Sequence, residues 1–174
     1  IQLYSDEAYY WAYSRFMQWG YFDHPPMVAL MIRAGYELFQ NELGVRLFSV
    51  ILITLTIWIL FRLSKVENQK LFALLIFSIF PFHLFGLTSM PDSPLLFFTA
   101  LFFLVYERYL EDDSTKIALI LGVVMSLMLY SKYQSVLVIL FTLASNPALL
   151  KRRSFWMASI FGAILFTRHL YWQY

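Results

Sequence analysis

Long apolar runs separated by short polar segments dominate the chain from residue 43 onward. A helix that crosses a membrane needs about 20 mostly apolar residues. By this criterion the sequence predicts spans near residues 43–63, 71–88, 95–109, 117–130, 134–145 and 155–167. The stretch 117–143 is either one bent span or two short spans that meet at the polar segment 131–134. The pattern predicts an all-α, polytopic transmembrane helix bundle.

Residues 5–42 follow a different pattern, with polar and aromatic positions mixed. The segment from Asp6 to Trp19 is typical of an amphipathic helix, with Ser5 as its N-cap. Its Tyr and Trp residues suit the membrane–water interface, where amphipathic rings are enriched. A loop at 20–26 and a second short helix at 27–39 follow. We therefore expect an external loop that carries interfacial helices.

The basic residues orient the predicted spans. If every span crosses once, and 117–143 counts as two, then the segments 5–42, 89–94, 131–134 and 169–174 share one face. The opposite face receives eight basic residues: Arg62, Lys65, Lys70, Arg108, Lys116, Lys151, Arg152 and Arg153. The positive-inside rule makes that face cytoplasmic. The acidic loops are then expected on the periplasmic or lumenal face, unless 117–143 is a single span.

Composition narrows the class of protein. The chain is 60% hydrophobic and 14% charged, against about 25% charged residues in a typical soluble domain, so we expect an integral membrane protein. The absence of cysteine excludes a thiolate metal site and a cysteine nucleophile. A net charge of +2 is too small and too dispersed for nucleic-acid binding. Because the sequence opens with the tail of an apolar segment and stops abruptly at Tyr174, we interpret residues 1–174 as one membrane domain, an internal fragment of a longer chain.

Ionisable side chains gather in the loops assigned to the non-cytoplasmic face. They are Asp6, Glu7, Asp23, His24, Asp92, Lys132 and His169. Charged groups at membrane depth are costly, and they indicate function by default. Lys132 and His24 could hold an anionic head group while a carboxylate accepts a proton.

Local structure could explain several of these residues without any ligand. Asp6 and Glu7 suit the first turn of a helix, where carboxylates complement the helix dipole. Asp23 and Asp92 stand beside prolines, in positions where aspartate favours turns. Lys132 could extend its charge to the interface from an apolar run. The case for a site therefore depends on their shared face.

Five segments, in order, carry a resemblance to a known family. They read DEAYYWAYSRFMQWGYFDHPPMVALMIR, NELGVRLFSV, MPDSPLLFFTALFFLVYERYL, LYSKYQSVL and HLYWQY. This series resembles the membrane glycosyltransferases of the protein-mannosyltransferase and aminoarabinose-transferase type, including the RgtA/B/C/D-like glycosyltransferase domain. The resemblance implies the GT-C fold.

The resemblance also implies an activity. It is the inverting transfer of a sugar from a polyprenyl-phosphate-linked donor to a lipid, glycan or protein acceptor, on the non-cytoplasmic side of a bacterial inner membrane. Asp6 matches the acidic residue that serves as catalytic base, and Asp92 matches the second catalytic acidic residue, which orients a sugar. Lys132 matches a basic residue near the carrier phosphate. The remaining substrate-binding candidates are Glu7, Asp23, His24 and His169. Neither a metal nor another cofactor is expected.

One motif departs from the pattern of the family. Aminoarabinose transferases commonly read Glu-Lys-Pro-Pro where this chain has Asp23 and His24 before two prolines, so a phosphate contact here depends on the protonation or tautomeric state of His24. A zinc ion held by Asp23 and His169 is not expected, and His169 could instead anchor the interface.

Two other functions would use the same polar residues. A transporter or flippase for a lipid-linked anion would need the basic residues but no catalytic base. A paired inverted repeat would favour that reading, and the sequence shows none. A non-catalytic membrane scaffold would tolerate substitution of all the polar loop residues.

Overall fold

The structure, a computed structural model, describes residues 2–173. These residues form helices and no strand, so the all-α prediction is confirmed. The helices are α1 (Ser5–Arg15), α2 (Met27–Leu38), α3 (Glu42–Ser64), α4 (Gln69–Ser78), α5 (Phe80–Leu87), α6 (Asp92–Glu111), α7 (Thr115–Ser131), α8 (Ser135–Ser145) and α9 (Arg153–Trp172), with a 3₁₀ helix (Pro147–Lys151) before α9.

Two of the described helices, α3 and α6, are long and apolar enough to cross a membrane. The pair α4 and α5 meets the same criterion together, with a bend of 71° between the two helices. The polar segment 131–134 separates α7 from α8, so the stretch 117–143 forms two helices rather than one. The chain thus has the membrane-helix character that its hydrophobic pattern predicts.

The bend between α4 and α5 has a local cause in Pro81. Proline has no backbone N–H, so it cannot donate to the carbonyl of Phe77 one turn earlier. His83 replaces the missing donor, because its Nε2 lies 3.1 Å from the Phe77 carbonyl oxygen. A ring stack between Phe77 and His83, with centroids 5.7 Å apart, accompanies this bond. The predicted span 71–88 is therefore a broken helix.

The closest helix pair is α7 with α9, which run in the same direction. Gly122 of α7 faces Ala158 and Gly162 of α9, so the two backbones approach without intervening side chains. Small residues of this kind allow close packing of membrane helices. Larger buried side chains, including Leu121, Met128 and Phe155, fill the core around this contact.

Ion pairs and hydrogen bonds define the two ends of the bundle. At one end, Lys65 after α3 pairs with Glu107 near the end of α6 at 2.6 Å. Arg152 before α9 donates to the Tyr109 carbonyl oxygen at 3.1 Å. The basic loops therefore share this end, and the opposite end is where α3 and α6 begin and α7 and α9 finish.

The bounds of α1 correct the sequence-based interpretation at both ends. The N-cap is Tyr4, and Ser5 is already helical. The helix ends at Arg15, four residues before the expected Trp19. The Tyr21 hydroxyl, 2.9 Å from the Tyr13 carbonyl oxygen, binds the end of the helix and stops it there.

The end of α9 also differs from the prediction. Residues 169–174 were expected to form a terminal loop after a short span at 155–167. Instead α9 continues to Trp172, and His169 lies in its last turn, fully buried. Contacts with residues 18–20 stabilise this extra turn, as described below. Tyr174 lies outside the described residues.

Substituting Gly162 tests the packing of α7 against α9. A Cβ at Gly162 would lie 2.7 Å from the Gly122 carbonyl oxygen, and a backbone atom cannot easily move away. We expect Gly162→Ala to destabilise the protein by about 1–3 kcal/mol, as in other overpacked cores. Thermal unfolding in detergent measures the change.

Gly86→Ala is the matched control. Its Cβ would meet only the Ile53 side chain, at 3.2 Å, and that side chain can shift. We expect an unfolding midpoint close to that of the wild type. Equal midpoints for the two variants would contradict the close backbone contact of α7 with α9.

Candidate functional site

A buried carboxylate organises the end of the bundle opposite the basic loops. Glu7 of α1 has no exposed surface. Arg46 of α3 donates from Nε to Oε1 at 2.7 Å and from Nη2 to Oε2 at 2.6 Å. The backbone N–H groups of Ser89 and Tyr4 donate at 3.1 and 3.0 Å. One side chain therefore joins α1, α3 and the turn before α6.

The hydrogen bonds to Glu7 determine its charge state. Burial by itself would raise the pKa of this carboxyl group, because a low-dielectric environment disfavours the charged form. The guanidinium of Arg46 and the N–H groups of Tyr4 and Ser89 outweigh burial and hold the pKa of Glu7 below its ordinary value. Glu7 is thus an ionised structural group at neutral pH.

The turn before α6 is held by serine hydroxyls. Ser89 donates to the Val45 carbonyl oxygen at 2.6 Å and lies 3.0 Å from the Ser49 hydroxyl. Ser93 donates to the Phe85 carbonyl oxygen at 2.6 Å. These bonds fix the start of α6, where Asp92 is the first helical residue.

Asp6 points away from the buried carboxylate beside it. Successive residues of an α-helix are rotated by about 100°, so burial of Glu7 places Asp6 on an exposed face of α1. Its hydrogen-bond partner is the Ser5 hydroxyl at 3.3 Å. Within residues 2–173 no basic side chain forms a salt bridge with Asp6. The two acidic neighbours therefore have different environments.

Asp92 and Lys132 form an ion pair at the same end. Lys132 Nζ lies 2.8 Å from Asp92 Oδ1 and 3.1 Å from Oδ2. The Asp92 carboxylate also benefits from the positive end of the α6 dipole. Their side chains are 27% and 21% exposed. Since neither group is sealed from solvent, the pair can still contact a ligand.

The Asp23–His24 segment lies against a row of tyrosines on α1. The hydroxyls of Tyr9 and Tyr13 donate to Asp23 Oδ1 at 3.2 and 3.1 Å and also contact each other. His24 Nε2 lies 3.7 Å from Asp23 Oδ2. The Tyr13 ring stacks on Tyr21 with centroids 4.0 Å apart. Tyrosine side chains thus hold the loop at 20–26 against α1.

The electrostatic environment of Tyr10 reflects charges from several of these segments. Burial, with added repulsion from the charges of Asp23, Asp6 and Asp92, raises the pKa of Tyr10 to about 12. The charges of three carboxylates, on α1, on the 20–26 loop and at the start of α6, therefore act on one tyrosine.

The pKa of His24 responds to the same groups. Burial has the largest effect and lowers it, and the charge of Lys132 lowers it further, while Asp23 and Asp92 act in the opposite direction. The net pKa of His24 lies below its ordinary value. The structure thus brings together Asp6, Asp23, His24, Asp92 and Lys132 at one end of the bundle.

His169 lies behind this group and not on its surface. Its side chain is fully buried, with Nδ1 2.7 Å from the Trp19 carbonyl oxygen and Nε2 2.8 Å from the Tyr133 hydroxyl. Both ring nitrogens are therefore engaged by the protein. Asp23 and His169 do not fit a shared zinc site, and among residues 2–173 no group of three potential ligands is placed to hold a metal ion.

Sequence reasoning missed the hydroxyl groups that hold the site. Tyr9 and Tyr13 are spaced by four residues, which places them on one face of α1, and that spacing was an available signal. The roles of Ser89 and Tyr133 had no sequence signal, because their partners are distant in the chain.

A family model described as dolichyl-phosphate-mannose-protein mannosyltransferase matches residues 23–172. No curated protein and no solved structure shows a significant match. The matched region contains Asp23, His24, Asp92, Lys132 and His169 and leaves out α1. We therefore include α1 in the site because of the contacts that Glu7, Tyr9 and Tyr13 make with the matched region.

The buried Glu7–Arg46 pair should make the free energy of unfolding depend on pH in the acidic range. The pKa of Glu7 is lower in the folded protein than its ordinary value of 4.5. The ionised carboxylate therefore contributes fully to the free energy of unfolding above pH 4.5, and this contribution is lost as the pH falls through the folded-state pKa. We expect Glu7→Gln to destabilise the protein by about 3–5 kcal/mol at pH 7, because Arg46 loses its partner, and to remove this acid-dependent loss. Thermal unfolding between pH 7 and pH 3.5 tests both effects.

Glu37→Gln is the matched control for that experiment. Glu37 pairs with Arg33 at 2.9 Å on the exposed side of α2. Exposed pairs of this kind contribute about 0.3–0.5 kcal/mol, so the variant should unfold close to the wild type. An equal effect of the two substitutions would show that the Glu7 pair has no special structural role.

Proposed function

The chain belongs to the dolichyl-phosphate-mannose-protein mannosyltransferase family, and from this we propose that the full-length protein transfers a sugar from a polyprenyl-phosphate-linked donor to a lipid, glycan or protein acceptor. We propose that transfer inverts the anomeric configuration and needs no metal or other cofactor. The observation that carries the proposal is that the Asp92–Lys132 pair, Asp23 and His24 lie at the same end of the bundle as the exposed carboxylate of Asp6.

Asp6 is suited to act as the catalytic base. It is exposed, and no described cation neutralises it. A base of this kind accepts the proton of the acceptor hydroxyl as the oxygen attacks the anomeric carbon. The bond from that carbon to the phosphate oxygen breaks, and the polyprenyl phosphate leaves with the electron pair. A single displacement of this kind inverts the anomeric centre.

Lys132 is suited to the phosphate of the donor. An ammonium group has three N–H donors, and the contacts with Asp92 leave capacity for a further acceptor. Its charge would offset the negative charge that develops on the leaving phosphate. Asp92 orients Lys132 and, in this proposal, a sugar hydroxyl of the donor or acceptor.

His24 and Asp23 complete the proposed substrate contacts. Because the pKa of His24 is lowered, the ring is neutral at pH 7 and offers one N–H to a phosphate oxygen. Asp23 keeps one carboxylate oxygen on the two tyrosine hydroxyls, and the other oxygen can accept from a sugar hydroxyl. Glu7 acts indirectly, since its buried carboxylate fixes the position of α1 and therefore of Asp6.

We propose that this end of the bundle faces the non-cytoplasmic side of the membrane, and that the membrane is the bacterial inner membrane. The supporting feature is the distribution of Lys and Arg, because eight of the 13 lie in the short loops at the opposite end. Short basic loops favour the cytoplasmic side. The donor would then reach the site from the outer leaflet.

Asp6→Asn tests the proposed base. We expect the variant to fold and to lose transfer by about 10²–10⁴-fold, the usual contribution of a general base. The assay is transfer of radiolabelled sugar from membrane lipid extract to endogenous acceptor, with the full-length protein at matched membrane levels.

The control for Asp6 is Asp112→Asn, an exposed aspartate that follows α6 at the basic end. It should transfer like the wild type. Full activity of Asp6→Asn would exclude Asp6 as the base. Absence of transfer by the wild type, with uptake of a lipid-linked anion, would favour a transporter instead.

Lys132→Gln tests the phosphate contact. Loss of the charge should raise the KM for the donor about tenfold or more, since hydrogen bonds to charged groups contribute about 1.5–3 kcal/mol. Lys132→Arg should retain part of the affinity. Lys116→Gln, at the opposite end of α7, is the control and should leave the KM unchanged. An unchanged donor KM in Lys132→Gln would refute the contact.

A further inference from the structure

The last turn of α9 connects two segments of the site that are remote in sequence. His169 is separated from Trp19 by 150 positions and from Tyr133 by 36, yet it contacts both. Its burial is complete, so it cannot reach a substrate directly. Nδ1 of its ring faces the segment that contains Trp19, and Nε2 faces the segment that contains Tyr133.

The hydrogen-bond partners determine the tautomer of His169. A carbonyl oxygen only accepts, so Nδ1 must donate its hydrogen to Trp19 at 2.7 Å. In the neutral ring Nε2 then accepts from the Tyr133 hydroxyl at 2.8 Å. The Tyr133 oxygen accepts in turn from Gln173 Nε2 at 2.6 Å. These four residues form one directional chain, which we call the His169 latch.

The backbone at Gly20 is shaped to receive the imidazole ring. A Cβ at this position would lie 2.7 Å from Nδ1 and Cε1 of His169 and from Cε3 of Trp172. Only glycine allows this approach without displacement of the rings. Trp172 adds a second bond, from Nε1 to the Gln18 side-chain oxygen at 2.8 Å. The segment 16–20 is therefore fastened to α9.

Each end of the latch lies next to residues proposed to bind the donor. Tyr133 directly follows Lys132, in the short connection between α7 and α8. Trp19 and Gly20 precede the Asp23–His24 segment, and the Tyr21 N–H donates to the His24 carbonyl oxygen at 3.0 Å. Movement at either end would therefore be transmitted to Lys132 or to His24.

We propose that His169 is a positioning residue that holds the segment 131–134 and the segment 16–24 at a fixed separation. Lys132 and His24 can then contact the same donor phosphate without ordering two mobile loops on binding. A preordered site of this kind costs less conformational entropy when the ligand binds. The link to the donor rests on the proposed function, whereas the latch itself is a structural prediction.

A kinetic comparison tests the role of the latch in donor binding. In His169→Asn the side-chain amide can still donate to Trp19 but cannot reach Tyr133, and Tyr133→Phe removes the shared hydroxyl. Each should raise the donor KM about three- to tenfold, the cost of one or two neutral hydrogen bonds, with the acceptor KM unchanged. Tyr171→Phe is the control, since Tyr171 lies on the same helix and is 86% exposed.

Two kinetic results would overturn the proposal. One is an unchanged donor KM in both latch variants. The other is a fall in kcat alone with an altered pH profile of the rate, which would make His169 a group that exchanges protons during the reaction. Tyr133→Phe keeps the test decisive even if His169→Asn folds poorly, because it removes only one oxygen atom.

A distance measurement tests the latch without any need for activity. The chain contains no cysteine, so Phe22→Cys and Gln134→Cys provide sites for spin labels, and Phe22 is 96% exposed. In the full-length protein, with other cysteines removed, the distance distribution should be narrow. It should broaden with Tyr133→Phe or His169→Asn and stay narrow with Tyr171→Phe.

The two readouts separate failure of the latch from failure of the proposed function. A distribution that stays narrow in both latch variants refutes the latch, whatever the protein transfers. If the distribution broadens in the latch variants but the wild-type protein transfers no sugar, the latch is supported and the glycosyltransferase proposal is refuted.

Discussion

The buried ion pair of Glu7 with Arg46 is the interaction on which the rest of the site depends. An unpaired charge in a low-dielectric interior is very costly, so Glu7 can lie at this position only while Arg46 and two backbone N–H groups hold it. That requirement docks α1 on α3 and on the turn before α6. The helical rotation between neighbouring residues then directs Asp6 outward, onto the exposed face of α1.

The acidic side chains of the site differ in their partners. Asp92 holds Lys132, and two tyrosine hydroxyls hold Asp23. Asp6 is left without a cation among the described residues. Such an arrangement leaves one carboxylate able to take up a proton and one ammonium group able to face an anion. Membership of the family implies that the donor is a sugar on a polyprenyl phosphate. The charged groups described here are the residues to which we assign the proposed roles.

The sequence predicted the helical class because apolar runs of sufficient length have few alternatives in a membrane. It also located the break at 131–134, where Lys132 interrupts an apolar run. It did not predict the bend at Pro81, since a single proline in an apolar segment also fits a continuous span. Nor could it show that Glu7 is buried while Asp6 is exposed, because Arg46, the partner of Glu7, lies 39 positions away. The burial of His169 depends on Trp19, at an even greater separation.

The most direct test of this account is the position of the donor phosphate in an experimental structure of the full-length protein with a bound polyprenyl-phosphate sugar. We expect the phosphate within hydrogen-bonding distance of Lys132 Nζ, with the anomeric carbon of the sugar facing the acceptor site beside Asp6. A phosphate bound at the opposite end of the bundle, among the basic residues around Arg152, would contradict it.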